Sequence, residues 1–290
     1  MPRGIDRRPS PWPGTGVGAT NPVKPSDLAP LFRWPGGKRW LVPKLLELIP
    51  KTFGRYLEPF FGAGALFFAL QPRRAILSDA NSELMACYCQ LRDNHAHVSR
   101  ILSSLPQDQA SYYRIRSSAP ISETRRAARL IYLTTLSFNG IYRVNLAGKF
   151  NVPYGNREYP RLKSRDLLAE YSRALTGCAI RSCDFEEAVR TAKTGDLVYL
   201  DPPYTVAHSN NGFLKYNDKI FSWSDQERLA RVAADLNRRG CHVIVSNAGH
   251  SSIKNLYRGF TAIKVPRLSV MAASKDNRRL IEEYVFVNAC

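Results

Sequence analysis

The sequence predicts an α/β fold carrying an insertion, and three observations lead there. Short apolar runs of strand length alternate with helical patterns over about residues 31–89 and again over 173–290. Two of these runs end in chain-breaking segments, Phe60-Phe61-Gly62-Ala63-Gly64 and Asp201-Pro202-Pro203-Tyr204. Between about residues 90 and 172 the alternation stops, and helix-like stretches surround a segment punctuated by Gly and Asn. A chain of 290 residues is long enough for one large domain, or for one domain with an insertion.

Taken in order, residues 1–30 are rich in Pro, Gly, Arg and Ser without apolar periodicity, which predicts a disordered basic arm outside the fold. A Gly36-Gly37 turn then leads into a helical pattern over Arg39–Leu48 that ends near Pro50. The strand Tyr56–Phe60 follows, then a helix over Gly62–Leu70, the strand Ala75–Asp79 and a helix starting near Asn81. Further strands read at Ala179–Ser182, Leu197–Leu200, His242–Ser246, Thr261–Val265 and Glu283–Val287. A helix over Ser224–Arg239 takes Ser224 as its cap and Glu227 as the capping-box partner. Within the middle segment, Glu123–Leu136 reads as a helix and Phe138–Gly155 as a β-hairpin turning at Ala147-Gly148. Residues 31–89 and 173–290 therefore form one body, and 90–172 an insertion with its own recognition surface.

Charge narrows the partner. Lys and Arg number 42 against 24 Asp and Glu, a formal charge of +18, which points to a polyanion. The basic residues are spread among Tyr, Asn and Phe, not gathered on one amphipathic helix, so nucleic acid is favoured over a membrane surface. Cysteines at 87, 89, 178, 183, 241 and 290 form no C-x-x-C pair and lack matching His, which argues against a structural metal. Reduced thiols in a cytoplasmic protein are expected. With no run of membrane-spanning length and no apolar signal core, the chain reads as soluble.

The chemistry concentrates at the predicted strand ends, where open α/β sheets bind ligands. Asp201 follows the run Leu197–Leu200, and its carboxylate and the carbonyl of Pro202 can both accept hydrogen bonds from an exocyclic amine. Tyr204 offers a face on which a planar base can stack. That combination suits methylation of an amino group on a nucleobase, although Asp and Pro also make ordinary turns. Gly62 and Gly64 would let backbone approach a ligand closely, and Asp79 could hold ribose hydroxyls or cap the helix at Asn81. In Phe32-Arg-Trp-Pro-Gly-Gly-Lys38, Trp34 could cover a cofactor and Lys38 hold its carboxylate, unless the segment is a surface loop. Asp184 and Phe185 could place an acceptor and a ring against an adenine, or serve as a helix cap and a core residue.

Together, FRWPGGK, EPFFGAG, the Asp79-Ala80-Asn81 turn, the FNGIYRVN-to-FNVPYG segment and DPPY resemble the adenine-N6 DNA methyltransferases of the Dam-like (D12) class, over about Leu31 to Asn288. The resemblance implies a Rossmann-like S-adenosylmethionine-dependent methyltransferase sheet with an inserted, mainly helical target-recognition domain carrying a β-hairpin. It implies S-adenosylmethionine as cofactor, double-stranded DNA as substrate and no metal. By position it assigns Trp34, Lys38, Phe60, Gly62, Gly64, Asp79, Asp184, Phe185 and Asp201 to the cofactor, and Asp201, Pro202 and Tyr204 to catalysis. In the insertion, Arg143, Asn145, Lys149, Asn151 and Tyr154 are candidates for contacting DNA, since Arg suits guanine edges and Asn adenine. Arg114, Arg116, Arg125, Arg126 and Arg129 are candidates for phosphates, the last three alternatively forming a solvated helix face. The basic arm and Val144, where many relatives carry an aromatic, depart from the family pattern. Competing readings are a methyltransferase for cytosine N4 or for RNA, because a DPPY turn serves any exocyclic base amine, and a catalytically inactive DNA-binding protein.

Overall fold

The computed structural model describes residues 26–156, 162–205, 221–268 and 280–288. In chain order its strands are β1 (Tyr56–Glu58), β2 (Ala75–Asp79), β3 (Ala179–Ser182), β4 (Leu197–Leu200), β5 (His242–Ala248), β6 (Thr261–Leu268) and β7 (Leu280–Val287). They form one sheet in the order β3-β2-β1-β4-β5-β7-β6. The first five in that order are parallel, and β7 runs antiparallel between β5 and β6. The central strands are apolar throughout because both faces are covered: Tyr56, Leu77, Leu197 and Tyr199 enter one core, while Leu57, Ile76, Val198 and Leu200 enter the other.

This order fixes the site. From β1 the chain moves outward to β2 and β3, then returns to β4 on the other side of β1, so the winding reverses between β1 and β4. A crevice opens at such a reversal, beyond the carboxyl ends of the strands. Tyr56 and Leu57 pair with Leu197 and Val198, which sets the exits of β1 and β4 side by side.

The helices are α1 (Val42–Leu48), α2 (Ala65–Leu70), α3 (Ser82–Ser103), α4 (Gln109–Ser117), α5 (Glu123–Leu136), α6 (Arg165–Leu175), α7 (Phe185–Val189), α8 (Trp223–Arg238) and α9 (Ser251–Leu256). Helix α2 starts later than its apolar pattern because Gly62 and Gly64 hold positive φ values of 47° and 65°. Helix α3 is capped by Asn81, whose side chain accepts the Leu84 N–H, and it kinks at Asn94. It therefore runs through the expected boundary at residue 90. Leu130 and Leu133 of α5 and Phe150 of the hairpin share the core that holds Leu77 and Tyr199.

Two expectations need correcting. Helix α8 is capped by Ser222, not Ser224, and its box partner is Asp225, not Glu227. Both serines have an acid three residues on, but Phe221 is anchored among Phe60 and Phe185, so the chain is capped two residues earlier. Glu227 instead accepts the indole N–H of Trp223. Second, Ser26–Pro30, expected within the loose arm, lie against α2 and α6. The Ser26 N–H donates to Ala69 and the Tyr171 hydroxyl donates to Ala29. The rest of the arm, residues 1–25, lies outside the described residues.

The hairpin is short. Val144 pairs with Phe150, the Asn145 N–H donates to Lys149 and the Asn151 N–H to Arg143. Gly148, at φ 69°, turns the chain as expected. Among the described residues no helix is long and apolar enough to cross a membrane, and no cluster of His, Cys, Asp or Glu could hold a metal ion. Cys87, Cys89, Cys178, Cys183 and Cys241 are free thiols.

Candidate active site

The exit of β4 carries Asp201 into a network of buried polar groups. Its Oδ1 accepts the Ser246 hydroxyl of β5 at 2.6 Å and faces the Lys38 ammonium at 3.3 Å. Ser246 also shares a hydrogen bond with Tyr199. Among the described residues nothing donates to Asp201 Oδ2 or to the carbonyl of Pro202. The two acceptors that the sequence singled out for an amine are therefore both uncommitted. Burial pushes the Asp201 carboxyl above its ordinary range, against the opposing pull of Lys38 and Ser246, while the Glu283 charge pushes it further up.

The turn after Asp201 is held from behind. Gln226 of α8 donates its amide to the carbonyl of Pro203 and to Thr205, and Asn247 donates to Gln226. Tyr204 donates its hydroxyl to Glu283 Oε2 at 2.5 Å, and the Lys38 nitrogen stands 4.2 Å from the centre of its ring. Lys38 is only 6% exposed; it donates to Gly36 and lies 3.7 Å from Glu283. It reaches the Asp201 carboxylate, a placement its sequence context did not suggest.

Beyond β1, Asp79 joins the end of β2 to the glycine turn. One carboxylate oxygen accepts the Gly62 N–H and the other the Asn81 N–H, both at 2.9 Å. Asn81, not Asp79, caps α3. A carboxylate has about four acceptor sites, so Asp79 keeps capacity for hydroxyls. Trp34 lies on the same turn, since a Cβ at Gly62 would meet its Cδ1 at 3.0 Å, and it stacks on Tyr142 at 4.4 Å. A glycine cradle, a carboxylate and an indole at one strand end fit a nucleoside-like cofactor. Glu58, at the end of β1, accepts the Tyr56 hydroxyl, and burial pushes its carboxyl well above the usual range.

Asp184 and Phe185 take the cap and core roles of their sequence readings. Asp184 caps α7 and forms a two-point ion pair with Arg228 at 2.8 and 2.9 Å. Phe185 is buried, stacked by Phe60 at 5.4 Å and covered by the Arg228 guanidinium at 4.1 Å.

In the insertion, Arg143 and Asn151 hydrogen-bond to each other across the hairpin, and Lys149 is exposed. The Asn145 side-chain oxygen accepts the N–H groups of Ala147 and Lys149, so it builds the turn. Tyr154 is directed toward the protein, its hydroxyl donating to the Gln107 carbonyl. Arg125 and Arg126 are exposed, as a phosphate-contacting or solvated face requires. Arg129 is not part of that face: it donates to the carbonyls of Ile115 and Arg116 and satisfies the end of α4. Arg116 donates to Val152, and Arg114 to Ser111.

Glu283, Ser246, Gln226 and Tyr142 escaped the sequence reading. An acid inside the apolar run of β7 was a usable signal for Glu283, because a buried charge demands a partner. Ser246-Asn247, polar residues closing an apolar strand, carried a weaker one.

The profile of the D12 class N6 adenine-specific DNA methyltransferase family matches residues 34–271. The chain is 37% identical over 272 residues to the type II methyltransferase M1.LlaDCHI of Lactococcus lactis, a match spanning 90% of this chain and 96% of the relative. It is 32% identical over 277 residues to the type II methyltransferase M.MjaIII of Methanocaldococcus jannaschii, spanning 87% and 96%. Similarity to the retron Ec67 DNA adenine methylase of Escherichia coli is 32% over 244 residues, spanning 81% and 82%.

Proposed function

The chain belongs to the D12 class of N6 adenine-specific DNA methyltransferases, and from that premise we propose how its residues share the work. The observation that carries the proposal is the pair of uncommitted acceptors, Asp201 Oδ2 and the Pro202 carbonyl, at the β1–β4 reversal beside Tyr204. The adenine N6 lone pair is delocalised into the ring, so the amine is a poor nucleophile. When Asp201 and Pro202 accept its two N–H bonds, the nitrogen can pyramidalise and direct its lone pair outward. The Asp201 carboxylate then stabilises the positive charge that develops on nitrogen, more as a fixed charge than as a strong base.

The target amine lies inside the duplex, so the base must flip out, at a cost of a few kcal/mol. Stacking on Tyr204, at about 1–3 kcal/mol, offsets much of that cost. Lys38 stands over one face of the Tyr204 ring.

S-adenosylmethionine, when bound, supplies an activated methyl group on a sulfonium. Gly62, Gly64 and Asp79, with Trp34, Phe60, Asp184 and Phe185, would hold it, and Lys38 would serve its carboxylate. Arg143, Lys149 and Asn151 would meet DNA from the hairpin, whose turn Asn145 shapes and whose base Tyr154 braces. The exposed Arg125 and Arg126 suit phosphates, which position the duplex without reading it.

The test is a transfer assay with tritiated S-adenosylmethionine and duplex DNA, followed by nucleoside digestion. Label should appear in N6-methyladenine. Label in N4-methylcytosine, or in RNA in preference to DNA, would overturn the assignment, and methylation-sensitive long-read sequencing would give the sequence context.

A further inference from the structure

Glu283 is 1% exposed on β7, the last strand of the chain, which pairs antiparallel with β5. Burying a carboxylate is costly unless it is paired and hydrogen-bonded. Its Oε2 receives the Tyr204 hydroxyl at 2.5 Å and lies 3.7 Å from the Lys38 ammonium, which is itself 3.3 Å from Asp201. Two carboxylates therefore share one ammonium, and the tyrosine ring lies beneath it. As the structure stands, Lys38 faces Oδ1 of the carboxylate whose Oδ2 a substrate amine would use.

We propose that Glu283 is a positioning residue for methyl transfer: it anchors the Tyr204 ring by its hydroxyl and gives Lys38 a second carboxylate, so that the ammonium can yield Asp201 to the incoming base. The inference rests on the reading that Asp201 and Tyr204 receive that base. Two consequences follow when Glu283 is neutralised. Lys38 keeps Asp201 as its one neighbouring carboxylate among the described residues and competes with the amine for that charge, and the ring has a neutral amide oxygen in place of its charged acceptor.

Glu283→Gln keeps the shape of the side chain and removes its charge. The groups bearing on Asp201 are Lys38 before α1, Tyr56 and Glu58 on β1, Tyr199 on β4, Tyr204 in the turn after it, Ser246 on β5 and Glu283 on β7. Removing the Glu283 charge removes one influence that raises the Asp201 carboxyl, so the acid limb of kcat/KM against pH should move to lower pH. The kcat should fall by about 10- to 100-fold, the scale of a misplaced reacting group. Tyr204→Phe should lose a similar factor in kcat without moving the acid limb. The two changes should be less than additive in the double variant, because both act on the same hydrogen bond. Fluorescence of a 2-aminopurine at the target position should fall in both single variants.

A Glu283→Gln protein with wild-type kcat, KM and acid limb would overturn the proposal, as would lost activity accompanied by a lowered melting temperature and an unmoved limb. If Glu283→Gln does not fold, Tyr204→Phe decides: wild-type kcat there refutes the anchor. Asp201→Ala separates this inference from its premise. Turnover by that variant sinks the base reading itself, whereas an inactive Asp201→Ala beside an unaffected Glu283→Gln sinks the role of Glu283 alone.

Discussion

Replacing Asp201 by Asn tests the centre of the chemistry with little change of shape. The amide keeps an oxygen for the Ser246 hydroxyl but removes the negative charge and turns the free Oδ2 into a donor facing a donor. Loss of one preorganised contact to developing charge costs about 3–4 kcal/mol, or about 10²–10³ in kcat. Failure to accept one amine hydrogen adds about 1–3 kcal/mol, so the expected loss is about 10³-fold or more. The fold should survive. Breaking a buried ion pair usually costs about 3–5 kcal/mol, but Lys38 keeps Glu283 and the Gly36 carbonyl, so the loss should be smaller. The pH behaviour has a definite sign. Because the folded-state pKa of Asp201 is raised, its ionisation weakens the fold as pH rises through that value, while in the proposed mechanism the ionised form is the one that works on the amine. Wild-type activity should therefore rise with pH across an acid limb that the Asn variant lacks. Single-turnover transfer of tritiated methyl to DNA, with cofactor and DNA binding measured separately, checks this. Asp201→Asn activity within tenfold of wild type would refute the reasoning.

Other variants probe the surrounding parts. Tyr204→Ala removes about 1–3 kcal/mol of stacking and should lower 2-aminopurine fluorescence at the target; an unchanged signal would count against the stacking role. At Gly64, φ is 65° and an added Cβ would lie 2.6 Å from Phe61 Cζ. Gly64→Ala should thus lose about 1–2 kcal/mol or more from the left-handed backbone alone and weaken cofactor affinity, and calorimetry showing neither would contradict the cradle. Glu58 has a raised folded-state pKa, so its contribution to stability is full below its unfolded value and is lost as pH rises through the folded value. Glu58→Gln should therefore melt at the same or higher temperature than wild type near pH 8, with the advantage vanishing in acid; a large loss at pH 8 would show that the ionised carboxylate is needed.

The sheet was legible because its strands obey local rules. Leu197–Leu200 is a four-residue apolar run ended by a proline pair, and each of the other predicted strands overlaps an observed one. Motif positions were legible for the same reason, since strand ends are marked by glycine and proline. What stayed hidden was pairing between distant segments. No local pattern says that Lys38, Asp201 and Glu283 converge, because their proximity depends on sheet order and on the antiparallel insertion of β7 between β5 and β6. The α8 cap failed differently: two Ser-x-x-acid boxes overlap in sequence, and a tertiary anchor at Phe221 chose between them.

Charge is divided between two depths, and the division suits a base-flipping enzyme. The sequence carries a formal +18, with Arg125, Arg126 and Lys149 exposed, so phosphates meet cations at the surface. The carboxylates of Asp201, Glu283 and Glu58 sit below that layer with Lys38 among them. A phosphate entering there would meet two acids sharing one ammonium and be repelled. A neutral base acquiring positive charge on its amine would be stabilised, and increasingly so as the charge develops. Binding the backbone and activating the base thus require opposite fields, and burial keeps the second from cancelling the first. A variant that adds a second cation beside Asp201 should accordingly leave non-specific DNA binding intact while slowing transfer.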